Sequence, residues 1–132
     1  MTASKAHILV IEDEPEIQRL ATMMLETAGL QISKAPDLPQ AAFFLRDMPR
    51  PDLILLDVDL PDASSIQFLR LFRQVDAFDR IPVIVVASDA QSPLLSEALA
   101  QGADRYVTKA YLTSSLVRTV SEVLRSGRVQ RA

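Results

Sequence analysis

The feature that most constrains this sequence is a regular alternation of short apolar, β-rich runs with amphipathic helical patterns. Residues 7–11 form a compact apolar run, and after Pro15 apolar side chains recur at helical spacing until Gly29. The predicted strands are residues 7–11, 30–35, 53–57, 83–86 and 106–107. The predicted helices are residues 15–28, 38–48, a segment around 66–72, 93–101 and a last one that ends near Gly127.

Strands that alternate with helices indicate an α/β protein, because parallel neighbours need crossover connections. The unbroken apolar run at residues 53–56 suits a strand that is covered on both faces. We therefore predict a doubly wound, five-stranded parallel sheet of flavodoxin-like order 2-1-3-4-5, with five helices on its two faces. In such sheets a functional site lies at the carboxyl ends of the strands, at the topological switch point.

Length and composition narrow the class of protein. The 132 residues suit one domain, 1–132, with an ordered core over about 6–126 and a basic tail or the start of a linker at 127–132. The absence of cysteine excludes disulfides and thiolate metal sites. A net charge of −3 argues against direct nucleic-acid binding. Since no apolar run approaches the roughly 20 residues of a membrane span, we expect a cytoplasmic protein without a membrane partner.

Charged residues follow three of the predicted strands. Glu12 and Asp13 follow the first strand, Asp57 ends the third and Lys109 follows the fifth. The flavodoxin-like order would gather the carboxylates in one crevice, where oxygen ligands favour a hard cation such as Mg²⁺. A carboxylate beside a cation and a lysine can act as a nucleophile toward a phosphoryl group. Taken singly, each residue could be a helix cap or a solvated charge. Charged residues at the ends of three strands on the same edge of the sheet favour a functional site instead.

The segments "ILVIEDEPEIQRL", "PDLILLDVDLPD", "IPVIVVAS" and "GADRYVTK" resemble the receiver domains of bacterial two-component response regulators over essentially the whole chain. The resemblance implies that Asp57 is the phosphoacceptor. It also implies that Mg²⁺ is bound by Glu12, Asp13, Asp57 and the main-chain carbonyl of Asp59. Lys109 would contact the phosphoryl group.

The residues that couple phosphorylation to conformation depart from the family pattern. Ala87 stands where relatives carry a threonine or serine whose hydroxyl binds the phosphoryl group. Ser88 comes next, but side chains alternate faces along a strand, so we do not expect a simple replacement. Tyr106 matches the position of the aromatic switch residue in the family. The sequence fits either a ring that turns inward or outward with phosphorylation or a ring that packs in one orientation without switching. We predict weakened conformational switching.

Two loops also depart from the family. Lys109-Ala110 replaces a Lys-Pro pair whose peptide is typically cis, and we predict a trans bond because a non-proline cis bond costs about 2.5–4 kcal/mol. Ser64-Ser65 replaces an Asp-Gly pair, and serine is a good cap for the helix that follows. The side chain of Asp59 is expected to turn toward solvent.

The leading functional prediction is a signalling receiver that accepts a phosphoryl group on Asp57 from a histidine kinase or phosphotransfer protein. Its output would pass to a downstream protein or a fused domain through the face of helix 4, strand 5 and helix 5. We expect no enzymatic activity beyond self-phosphorylation and self-dephosphorylation. The alternative is a degenerate receiver that acts as a phosphorylation-independent adaptor. A flavodoxin-like FMN protein is disfavoured, since Glu12-Asp13-Glu14 would repel a phosphate.

Overall fold

A computed structural model describes residues 5–61 and 64–128 of the chain. Its strands form one parallel sheet in the order β2-β1-β3-β4-β5, which confirms the predicted topology. The strands are β1 (His7–Ile11), β2 (Gln31–Ala35), β3 (Leu53–Asp57), β4 (Val83–Ala87) and β5 (Arg105–Thr108). The helices are α1 (Pro15–Thr27), α2 (Leu38–Asp47), α3 (Ser65–Phe72), α4 (Pro93–Ala100) and α5 (Leu112–Ser126).

Helices cover both faces of the sheet, and every residue of β3 and β4 is buried. Successive residues of a strand pack on opposite faces of the sheet, because side-chain direction along a strand repeats every two residues. Ile54 and Leu56 join the cluster under α2, α3 and α4, whereas Leu53 and Leu55 join the cluster under α1 and α5. This explains why β3 and β4 are continuously apolar.

Local sequence signals explain where the helices begin. Pro15 occupies the first turn of α1, where its missing N–H costs no hydrogen bond. The Ser64 hydroxyl accepts a hydrogen bond from the Gln67 N–H at 3.0 Å and so caps α3. The neighbouring Ser65 hydroxyl donates to the Asp57 carbonyl at 2.6 Å. Ser64 thus caps α3, as a serine there was predicted to do, and Ser65 ties the start of this helix to the end of β3.

The register aligns the carboxyl ends of the central strands. Ile11 lies opposite Leu56, and Asp57 lies opposite Val86. The residues that follow β1 therefore lie beside Asp57 at one edge of the sheet.

Among the described helices, none combines the length and the apolar character needed to cross a bilayer.

Candidate functional site

Three carboxylates meet at the carboxyl edge of β1 and β3. Glu12, Asp13 and Asp57 each offer one oxygen, and these oxygens all lie within 4.8 Å of one another. Glu12 is 3% exposed, Asp57 is 1% exposed and Asp13 is half-buried. The acidic residues predicted from the sequence are thus brought together, because the register of β1 and β3 places the ends of these strands side by side.

The crowding of these acids has an electrostatic cost. Burial raises the pKa of Glu12 to about 9, with further contributions from its hydrogen bond to Asp57 and from the charge of Asp57. Burial and the same neighbour also raise the pKa of Asp13. The charge of Lys109 lowers the pKa of Glu12 but does not offset these effects, so the cluster carries more negative charge than its surroundings compensate. The all-oxygen donor set of the cluster fits a hard divalent cation, which would supply the compensating charge.

Lys109 provides one positive charge at the cluster. The turn Lys109–Tyr111 follows β5 and directs the lysine toward β3. Its Nζ lies 3.4 Å from Asp57 Oδ2 and 4.0 Å from Glu12 Oε2. Burial lowers the pKa of Lys109, but its hydrogen bond to Glu14 and the charges of Asp57 and Glu12 outweigh that effect. The net pKa lies above the ordinary value, so the lysine stays cationic.

The role of Glu14 was not predicted from the sequence. Its carboxylate accepts a hydrogen bond from Lys109 Nζ. Glu14 precedes α1 at the N-cap position, but its side chain makes no capping hydrogen bond. A signal was available in the sequence, because this acid and Lys109 both follow strands that end at the same edge of the sheet.

The loop after β3 is fixed by Asp59. Its N–H donates to Asp57 Oδ1 at 2.8 Å, which holds one oxygen of the buried carboxylate. Its own Oδ2 accepts from the N–H and the hydroxyl of Ser88, at 3.1 and 3.0 Å. The side chain therefore lies at the surface but is held there by Ser88 and does not extend freely into solvent. It connects the loop after β3 with the end of β4.

Ala87 and Tyr106 lie on neighbouring strands near the site. Ala87 is fully buried in the cluster beneath α3 and α4. Tyr106 is 44% exposed and lines a surface cavity of about 680 Å³ together with Leu99 and Arg118.

In residues 5–61 and 64–128 no peptide bond is cis. The predicted trans bond between Lys109 and Ala110 is thereby confirmed.

Fold and site together define a flavodoxin-like α/β domain with an acidic, cation-compatible pocket at its switch point. Comparison with known families then makes the assignment specific, because the response regulator receiver domain model matches residues 8–121. The chain belongs to this family and is a receiver domain of a two-component system. Phosphoryl acceptance is the function that the family implies, and its members are generally non-enzymatic signalling proteins.

Individual relatives agree with the assignment. The phosphate regulon transcriptional regulatory protein PhoB of Escherichia coli is 36% identical over 118 residues, which are 89% of this chain and 51% of PhoB. The chain thus spans about half the length of the curated relatives it matches. A CheY-like receiver from Methanospirillum hungatei superposes with a TM-score of 0.83 at 23% identity, covering 93% of this chain and 96% of that one. The phosphorylated cyanobacterial regulator RcpA superposes with a TM-score of 0.80 at 26% identity, with the same two coverages.

Proposed function

We propose that Asp57 accepts a phosphoryl group from a partner histidine kinase or phosphotransfer protein. The observation that carries the proposal is the placement of Asp57, a buried carboxylate within hydrogen-bonding reach of Lys109 and inside a cluster of acids. In this reaction a carboxylate oxygen of Asp57 forms a bond to phosphorus, and the phosphorus–nitrogen bond of the donor's phosphohistidine breaks. The imidazole leaves with the electron pair of that bond and takes up a proton.

Hydrogen bonds orient the proposed nucleophile. The Asp59 N–H holds Asp57 Oδ1, and Lys109 lies beside Oδ2. A phosphoryl group bonded to Asp57 would place its oxygens near the Lys109 ammonium. Lys109 would then compensate the added negative charge by a charge-assisted hydrogen bond.

The proposed cofactor is Mg²⁺, held by the carboxylates of Glu12, Asp13 and Asp57 and by the main-chain carbonyl of Asp59. The three-carboxylate cluster supports this choice, since Mg²⁺ prefers oxygen ligands and retains coordination positions for water and phosphate. When bound, it would neutralise negative charge on the acids and on the transferred group.

Three observations support weakened conformational switching. Ala87 has no hydroxyl to offer a phosphoryl group, and the Ser88 hydroxyl donates to Asp59. Tyr106 is already partly exposed. The same observations favour the second candidate, a receiver that binds its partner without phosphorylation.

The remaining assignments are also proposals. We propose a single receiver domain with its core over about 6–126 and a basic tail or linker start at 127–132, of which residues 129–132 lie outside the described part. Output would pass through the α4–β5–α5 face, where the cavity beside Tyr106 offers a contact surface. We further propose a cytoplasmic protein with no enzymatic activity except phosphorylation and dephosphorylation of Asp57 itself.

Incubation with Mg²⁺ and a small-molecule phosphodonor, followed by peptide mass spectrometry, tests the proposal. The wild type should gain one phosphoryl group on Asp57, and Asp57→Asn should gain none. Asp47→Asn is the matched control, because Asp47 is an exposed carboxylate that pairs with Arg46 away from the site. An unmodified wild type at saturating donor would refute phosphorylation and leave the adaptor as the better function.

A further inference from the structure

Arg128 follows α5 and folds back onto the sheet edge opposite the phosphorylation site. Its Nε donates to Asp104 Oδ1 at 3.1 Å. Its Nη1 donates to the Asp79 carbonyl at 3.0 Å, and its Nη2 donates to the Gly102 carbonyl at 3.2 Å. The planar guanidinium thus meets acceptors from three different positions of the chain, a geometry to which arginine is suited.

The acceptor Asp104 has a side chain with no solvent exposure. Its Oδ2 also accepts from the Val83 N–H at 2.9 Å and from Arg73 Nη2 at 3.1 Å. The carboxylate is therefore held between the start of β4, the end of α3 and the segment after α5. Hydrogen bonds between ionised groups are roughly twice as strong as those between neutral groups.

The backbone before Arg128 is arranged for this contact. Gly127 has φ +77°, a conformation that L side chains rarely adopt, and its N–H donates to the Val123 carbonyl at 2.7 Å. The chain can therefore reverse directly after α5. Arg125, one turn earlier, is exposed. The two arginines are close in sequence but have different surroundings.

We propose that Asp104 and the carbonyls of Gly102 and Asp79 form a docking site for the Arg128 side chain, which fixes the direction in which the chain leaves the receiver. Ordered backbone would then extend through Arg128 and not stop at the end of α5. Gly102 and Asp104 belong to the connection between α4 and β5, so a displacement of α4 would reach the exit segment through this site. The proposal does not depend on phosphorylation of Asp57.

NMR relaxation on the ¹⁵N-labelled 132-residue chain tests the docking site. In the wild type, the amides of Gly127 and Arg128 should have order parameters near the ~0.85 of rigid backbone. In Arg128→Ala, the same two amides should fall below about 0.6, the range of flexible backbone. Arg125→Ala is the matched control and should leave them unchanged. Folding is checked in each variant from the amide spectrum of β4 and β5.

The side chain gives an independent readout. The Arg128 Nε–H should exchange with solvent at least about tenfold more slowly than that of Arg125, which corresponds to about 1.4 kcal/mol. Mobile residues 127 and 128 in the wild type would overturn the proposal. Equal rigidity of these residues in the wild type and Arg128→Ala would also overturn it, because the helix cap alone would then order the segment.

Discussion

At the scale of single residues, the carboxylate cluster determines how the protein should respond to a divalent cation. Removing Asp13 removes one proposed ligand while the two buried acids stay in place. We predict that Mg²⁺ raises the free energy of unfolding of the wild type by about 2.7 kcal/mol at a concentration 100 times its dissociation constant. Asp13→Asn should lose most of this increment, and Asp47→Asn should retain it. Urea unfolding with and without Mg²⁺ measures both, and an equal response of Asp13→Asn and wild type would contradict the metal assignment.

Lys109 and Glu14 allow a second test at this scale, because they form one ion pair but differ in burial. Lys109→Gln removes the cation beside Asp57, and we predict phosphorylation by a small-molecule donor about 10- to 100-fold slower, the equivalent of one charge-assisted hydrogen bond. Glu14→Gln removes the exposed partner and keeps the cation. Its rate should change by less than about threefold, since exposed ion pairs contribute about 0–1 kcal/mol.

Single-turnover phosphorylation rates, followed by intact mass, distinguish these variants. Equal rates for Lys109→Gln and the wild type would show that the lysine does not contact the transferred group. A loss in Glu14→Gln as large as in Lys109→Gln would instead show that Glu14 is needed to position the lysine.

At the scale of elements, two helix ends differ in how closely they are packed. Gly29 and Gly102 have φ of +90° and +112°. A Cβ on Gly29 would meet nothing within 4 Å, whereas a Cβ on Gly102 would lie 2.9 Å from Arg73 Cγ. We predict that Gly29→Ala costs about 1–2 kcal/mol for the backbone conformation alone. Gly102→Ala should cost more, because Arg73 must also move, and equal losses in urea unfolding would contradict this.

The strands also show which features of the fold the spacing of apolar residues can predict. The apolar runs predicted all five strands, because the pattern of burial follows directly from which side chains are apolar. The predicted strand order came from the flavodoxin-like arrangement of doubly wound sheets, and it is confirmed. The observed strand boundaries differ from the predicted ones by one or two residues, since β2 begins at Gln31 and β5 extends over Arg105–Thr108. Strand ends are set by hydrogen bonds to neighbouring strands, and a single segment does not contain that information.

Contacts between loops were the part that sequence reasoning missed. The acids at the strand ends were found because parallel strands bring their carboxyl ends to one edge. The bonds from Lys109 to Glu14 and from Ser88 to Asp59 join residues far apart in the chain. Strand order brings these loops to the same edge of the sheet, but it does not determine which side chains pair there, because the pairing depends on loop conformation.

At the scale of the whole molecule, phosphorylation can shift conformation only through contacts that differ in free energy between two states. Ala87 removes one charge-assisted hydrogen bond that a threonine would make only with the phosphorylated site. A bond of that kind is worth about 1.5–3 kcal/mol, or one to two powers of ten in the population ratio. The Ser88 hydroxyl is engaged by Asp59 on the adjoining loop. The α4–β5–α5 face should therefore respond weakly to the state of Asp57.

We predict small NMR shift changes across that face when beryllofluoride and Mg²⁺ are added to the wild type, with Tyr106 in much the same orientation in both states. Ala87→Thr should enlarge the changes, because the new hydroxyl can bond the phosphoryl mimic and draw the end of β4 toward Asp57. Ser88→Ala is the control for the neighbouring hydroxyl, and its response should stay close to that of the wild type. Large changes in the wild type that Ser88→Ala does not diminish would show that the face is coupled to Asp57 without any hydroxyl at the end of β4, and that Ala87 is not the reason for a weak response.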